Sequence, residues 1–264
     1  MLSPAQTTDV PSAFDDAAST YDLMVRLNPG YHRHLAAAAK ALVDCLPSTG
    51  RQVLRVADLG AGSGASTLAL VRSLASVPLP AGVVGVDASA QMLAQAESKR
   101  WPSGVSFVHG RAEELDRCKQ DWGLSEPLDG VFAAYLFRNV VDRDAVLDDV
   151  FDLLAPGGVL VTQEYSVVGS RHAPKIWSAV CWLVVIPLAY LTYRQTSLYR
   201  YLWRSVQAFD SVPTFTDRLH RAGFVDVEVR TVSGWQRDIL HTFRARRPAA
   251  PVGTDSFGAT EAAR

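Results

Sequence analysis

The chain has 264 residues, 48% of them hydrophobic and 20% charged, with a formal net charge of −1. That is material for one full α/β domain with elaborations, and not for a disordered or fibrous chain. The balanced charge, with no long basic stripe, excludes broad electrostatic binding of nucleic acid. The three cysteines, Cys45, Cys118 and Cys181, are odd in number and widely spaced. They form neither a disulfide framework nor a CxxC metal site, and read as small buried residues. With an N-terminus lacking the apolar core of a signal peptide, the expectation is a cytoplasmic protein.

In chain order, residues 1–12 read as a flexible arm, 13–245 as one domain and 246–264 as a disordered tail rich in Ala, Pro and Gly. Residues 13–46 are expected to form an N-terminal helical lid, with a helix over 31–46. Strands are predicted over 52–58, 82–87, 105–110, 128–137, 159–165, 225–232 and about 239–245. Helices are predicted from Gly64 to about Ala75, over 89–100 with Ser89 as N-cap, over 143–158 with Asp142 as N-cap, and over 212–224. Strands separated by helices imply a Rossmann-like, doubly wound, mostly parallel seven-stranded sheet.

The stretch "VADLGAGSGASTLAL" (56–70) carries glycines at alternate positions, Gly60, Gly62 and Gly64, between the first strand and a helix. Ligands of such sheets sit beyond the carboxyl ends of the strands, and a glycine turn lets the backbone approach them. The spacing is G-x-G-x-G, whereas a dinucleotide cradle needs G-x-G-x-x-G, so an NAD reading is disfavoured. Asp87 closes the second strand, where a carboxylate can accept both hydroxyls of a ribose. In "GRAEEL" (110–115), a backbone amide and the side chains of Arg111 and Ala112 are placed to frame an adenine.

Together these signals, over residues 50–165, resemble the class I S-adenosylmethionine-dependent methyltransferases. That resemblance implies that the Asp58–Gly64 loop lies against the methionine part of S-adenosyl-L-methionine, with Thr67 nearby. A narrower resemblance rests on "FDDAASTYDLM" (14–24), "FRNVVD" (137–142), "LLAPGGVLVTQEYS" (153–166) and "YRYLWRSVQAF" (199–209). These are similar to the F-D-x-V-A-x-x-Y-D, R-N-V-x-D, L-E-F-S and Y-R-Y-L-x-x-S-I blocks of the menaquinone and ubiquinone C-methyltransferases. The implied activity is C-methylation of a hydrophobic quinol of the demethylmenaquinol type. Arg138 would polarise the quinol hydroxyl, Asn139 would add a hydrogen bond, and Glu164 would bind a substrate hydroxyl or pair with an arginine. Tyr21 and Tyr201 would close over the ligand, and His32, His34 and His172 are candidate proton shuttles. No metal site is expected.

The chain departs from that family at Ala65, where an acidic residue is usual, at Ala134, and in the ending "SGWQRDILHTFRARR". The alternatives are therefore an O-, N- or C-methyltransferase of another lipid-like or polyketide-like molecule, or a non-catalytic S-adenosylmethionine-binding protein. Residues 166–211 read as an apolar lid insertion. Its segment 176–193 has 18 uncharged residues, long enough to cross a membrane. A single crossing would separate the last strands from their sheet, and Pro187 would kink it. A hydrophobic lid, or peripheral contact with the inner face of the membrane, fits better; a homodimer is a further expected partner.

Overall fold

The computed structural model describes residues 30–47, 51–193 and 196–249. The arm over 1–12, the lid residues 13–29 including Tyr21, and the tail from 250 onward lie outside them. The strands are β1 (Leu54–Leu59), β2 (Ala81–Asp87), β3 (Val105–His109), β4 (Leu128–Ala134), β5 (Leu154–Tyr165), β6 (Val225–Thr231) and β7 (Leu240–Arg246). They form one sheet in the order β3-β2-β1-β4-β5-β7-β6. The first five run parallel, and β7 is antiparallel to both β5 and β6. The order reverses between β1 and β4, so the loops after these two strands part and leave a cleft.

The helices are α1 (Tyr31–Val43), α2 (Ala65–Leu74), α3 (Ala90–Glu97), α4 (Leu115–Cys118) and α5 (Arg143–Leu153). They continue with α6 (Ala173–Val180), α7 (Ile186–Tyr193), α8 (Ser197–Ala208) and α9 (Val212–Arg221). One sheet face is covered by α1, α2 and the insertion, with Leu35, Leu42 and Leu70 in its core. The other is covered by α5 and α9, with Leu147, Phe215 and Leu219. Local signals are seen in place: Ser89 accepts from the Met92 amide and Asp142 from the Ala145 amide, each at 3.1 Å.

Several elements end a few residues from expectation, and two boundaries and one role bear on the site. The helix expected over 143–158 stops at Leu153, and Leu154 already pairs with Leu128 of β4. Pro156 disfavours the helical region for Ala155, and Gly157 sits at φ +80°, so Pro-Gly-Gly belongs to the start of β5. Strand β4 ends at Ala134 rather than 137, because Tyr135 turns the chain at φ +61°. Helix α1 is a core element rather than a lid: Leu35, Ala38, Ala39 and Leu42 are buried, and Tyr31 at its start reaches the cleft. In the insertion, α6 and α7 are joined by a π-turn, Cys181–Val185, immediately before Pro187. The missing proline donor is absorbed there as a wider turn.

Candidate functional site

The cleft at the switch point is open to solvent, and the empty space within it and at its mouth comes to roughly 1000 Å³. Its walls come from the turns after β1, β2, β3 and β4. Gly60 and Gly62 supply backbone at the first of these, and the loop returns to β2 through Gly60 and Ala61 amides donated to Val86 O. Gly62 is at φ +54°, and its amide donates to Asp87 Oδ2 at 2.7 Å. The other Asp87 oxygen accepts from the Ser89 amide at 2.8 Å. Two backbone donors thus hold this carboxylate at the cleft wall. Arg111 and Ala112 also line the cleft. The Arg111 amide donates to Glu114 Oε2 at 3.2 Å, so the turn presents its two side chains rather than that amide.

Three of the residues expected in the cofactor pocket stand behind its wall. Gly64 is a packing glycine: a Cβ there would lie 2.8 Å from the Trp101 ring, and its φ is +88°. Thr67 is fully buried and donates to Asp58 Oδ2 at 2.6 Å, alongside Ser66 at 2.8 Å. Asp58 is itself fully buried, and desolvation pushes its carboxyl up to about 6 against those two hydroxyl donors. Its Oδ1 has no hydrogen-bond partner among the described residues. A buried acceptor of that kind beside a glycine loop suits an ammonium donor. These features fit S-adenosylmethionine.

The turn after β4 carries the other chemistry. Tyr135 is a non-glycine residue at positive φ, a conformation kept only where its surroundings hold it. Its carbonyl accepts from Arg138 Nη1 at 2.7 Å and from Asn139 Nδ2 at 3.2 Å. Arg138 is 5% exposed, lines the cleft, and reaches Glu164 Oε2 at 3.2 Å. Asn139 Oδ1 accepts from the Tyr201 hydroxyl at 3.0 Å, so the "FRNVVD" and "YRYLW" stretches meet in space. Glu164 is completely buried on β5, behind Arg138 rather than on the wall. Its carboxylate therefore faces the Arg138 guanidinium and not the open cleft. His32, His34 and His172 all lie away from the cleft lining. His34 is buried, and burial lowers its tendency to take a proton.

Burial pushes the Glu164 carboxyl up to about 7, with the Arg138 charge opposing. The folded state then holds this proton more tightly than the unfolded chain. Its contribution to stability is full below the ordinary carboxylate range, near 4.5, and is lost as pH rises through about 7. Glu164→Gln is expected to flatten the fall in stability between pH 5 and 8 by at most about 3 kcal/mol. Urea unfolding of both proteins at the two pH values reads this; parallel falls would refute it.

Sequence reasoning missed Tyr31, Met92, Tyr135 and Leu136 in the cleft lining. Tyr135 stacks between Tyr31, with centroids 5.5 Å apart, and Tyr165 at 5.1 Å. The "AAYLF" run was the available signal for Tyr135, an aromatic where a strand meets a turn.

The sequence model of the ubiE/COQ5 methyltransferase family matches residues 3–236. The ubiquinone/menaquinone biosynthesis C-methyltransferase UbiE of Geobacter sulfurreducens is 32% identical, over 82% of this chain and 81% of its own. The demethylmenaquinone methyltransferase of Clavibacter sepedonicus is 30% identical over 91% of each. Among solved structures, phosphoethanolamine N-methyltransferase 2 of Haemonchus contortus, in complex with phosphomonomethylethanolamine and S-adenosylhomocysteine, superimposes with a TM-score of 0.59. That match covers 94% of this chain and 61% of that one at 19% identity, a likeness of fold.

Proposed function

The chain belongs to the ubiE/COQ5 methyltransferase family, and from that premise we propose that it C-methylates a hydrophobic quinol of the demethylmenaquinol type. The methyl donor is S-adenosyl-L-methionine, as in the family; when bound it supplies an electrophilic methyl group on a sulfonium. Asp87 would hold the ribose hydroxyls, the Gly60–Gly62 backbone and the buried Asp58 the methionine end, and Arg111 with Ala112 the adenine. The observation that carries the reading is Arg138, a buried cation on the cleft wall, anchored by Tyr135 O and Glu164.

Its charge stabilises the quinol oxygen as a phenolate, which raises electron density on the neighbouring ring carbon. A guanidinium with pKa above about 12 is no proton acceptor, so the hydroxyl proton leaves to water. With the donor held in the cleft, that ring carbon would be the nucleophile for its methyl group, the donor would leave as the neutral thioether, and loss of the ring proton to water would restore aromaticity. Asn139, tied to Tyr201, fixes the turn that aims the guanidinium.

The test is mass spectrometry of a demethylquinone extract incubated with the protein, S-adenosylmethionine and a reductant. A quinone gaining one methyl group on carbon is expected; bound donor with unchanged quinones would overturn the assignment. One observation favours a second reading. Ala65 and Ala134, both departures from the family pattern, line the cleft. Altered walls suit methylation of another hydrophobic phenol, at carbon, oxygen or nitrogen. A domain start at residue 13 and a cytoplasmic location belong to the same proposal, while β7 carries the domain past the expected end at 245 to Arg246.

A further inference from the structure

The helix Ala173–Thr192 is 20 residues long and apolar enough to cross a bilayer, yet the chain on both sides of it returns to one sheet, at β5 and at β7. Ala173, Trp177, Cys181, Ile186 and Ala189 form a buried stripe against the domain. The interval in that stripe widens from four residues to five between Cys181 and Ile186, across the π-turn. Each residue rotates an α-helix by about 100°, so with an ordinary turn in place of the π-turn Ile186, five residues after Cys181, would leave the stripe. The helix is built to lie flat. Its other face exposes Ile176, Trp182, Leu183, Val184, Tyr190 and Leu191, with Leu183 and Leu191 at 76% and 79%.

The charged residues of the segment that carries this face all have one sign. Between Ser166 and Phe209 there is no Asp or Glu, although the chain has 27, while Arg171, Lys175, Arg194, Arg200 and Arg204 are basic. Arg171, Lys175, Arg200 and Arg204 are exposed, and none makes an ion pair among the described residues. The Arg200 guanidinium lies 5.8 Å from the centre of the exposed Trp182 ring, which puts a cation at the edge of the apolar face. Exposed apolar side chains on a segment whose charges are all cationic match the interface of a bilayer with anionic headgroups.

We propose that this face docks on an anionic lipid surface, with the helix axis in the plane of the interface. The inference goes beyond the quinol reading and does not depend on it, since it rests on the exposed face and its charges. It also relates the surface to the cleft. Trp177 of the inward stripe lies 4.9 Å from Tyr165, which stacks on Tyr135 at the cleft wall. The docked helix would stand two aromatic rings from the site.

The test is co-sedimentation of the full chain with vesicles of phosphatidylglycerol and phosphatidylcholine, against phosphatidylcholine alone. Binding is expected on the anionic vesicles, weakened by salt. Leu183→Glu/Leu191→Glu and Lys175→Glu/Arg200→Glu should each lower partitioning by about tenfold or more, with calorimetric affinity for S-adenosylmethionine unchanged. No wild-type binding, or binding that both double variants retain, would overturn the proposal. So would sedimentation velocity showing the face buried between two copies, with the Leu183→Glu/Leu191→Glu protein turning monomeric.

Discussion

Arg138→Ala is expected to lower kcat by about 10²- to 10³-fold, with the affinity for S-adenosylmethionine nearly unchanged. The loss follows from removing the buried guanidinium on the cleft wall beside the proposed phenolate. A structural role alone would predict something else. Removing the arginine strands Glu164 in a fully buried site, and breaking a buried pair commonly costs about 3–5 kcal/mol. Here the penalty is smaller, because the Glu164 carboxyl already titrates near 7 and can stay protonated. Arg138→Ala/Glu164→Gln separates the two effects: it should recover the melting temperature and not the turnover. Steady-state kinetics beside calorimetry and thermal melts give all three readouts. Turnover restored by the double variant would make Arg138 a structural residue only, and equal loss of donor binding and turnover would move it into the cofactor pocket.

Asp87→Ala should weaken S-adenosylmethionine binding on the order of 100-fold, as loss of two hydrogen bonds to a charged group implies. The carboxylate has a second task, since it holds the Gly62 amide of the first turn and the Ser89 amide that opens α3. The alanine variant therefore loosens the glycine loop as well as losing the ribose contact. Asp87→Asn keeps a carbonyl oxygen for one of these amides and should lie between wild type and alanine. Calorimetry with circular dichroism reads the series. Unchanged affinity in Asp87→Ala would sink the ribose assignment.

Much of the framework was legible because it rests on rules of short range. A glycine loop after an apolar strand, a carboxylate at the end of the next one, and the caps Ser89 and Asp142 are each specified within a few residues. The motif resemblance extended this to Arg138 and Asn139, which the structure brings to the same cleft as Asp87. Where Leu153 ends α5 was misread, since helix periodicity and the following strand overlap in an apolar run and Pro156 acts on the residue before it.

The chain alone determined the order of strands and helices, the cleft-forming turns and the chemical types gathered there, because propensity, capping and glycine conformations act locally. Only the tertiary structure decided which way those residues face. Gly64 and Thr67 turn into the core, since Gly64 packs on Trp101 and the Ser66 and Thr67 hydroxyls hold Asp58 from behind the glycine loop. Glu164 lies behind Arg138 because β5 pairs beside β4 and aims it there, across 26 residues of chain. Tyr135 is drawn between Tyr31 and Tyr165, from two other elements, and a single π-turn keeps one face of the apolar helix on the domain along its length. Each depends on contacts between segments distant in sequence, where burial and pairing outweigh local preference.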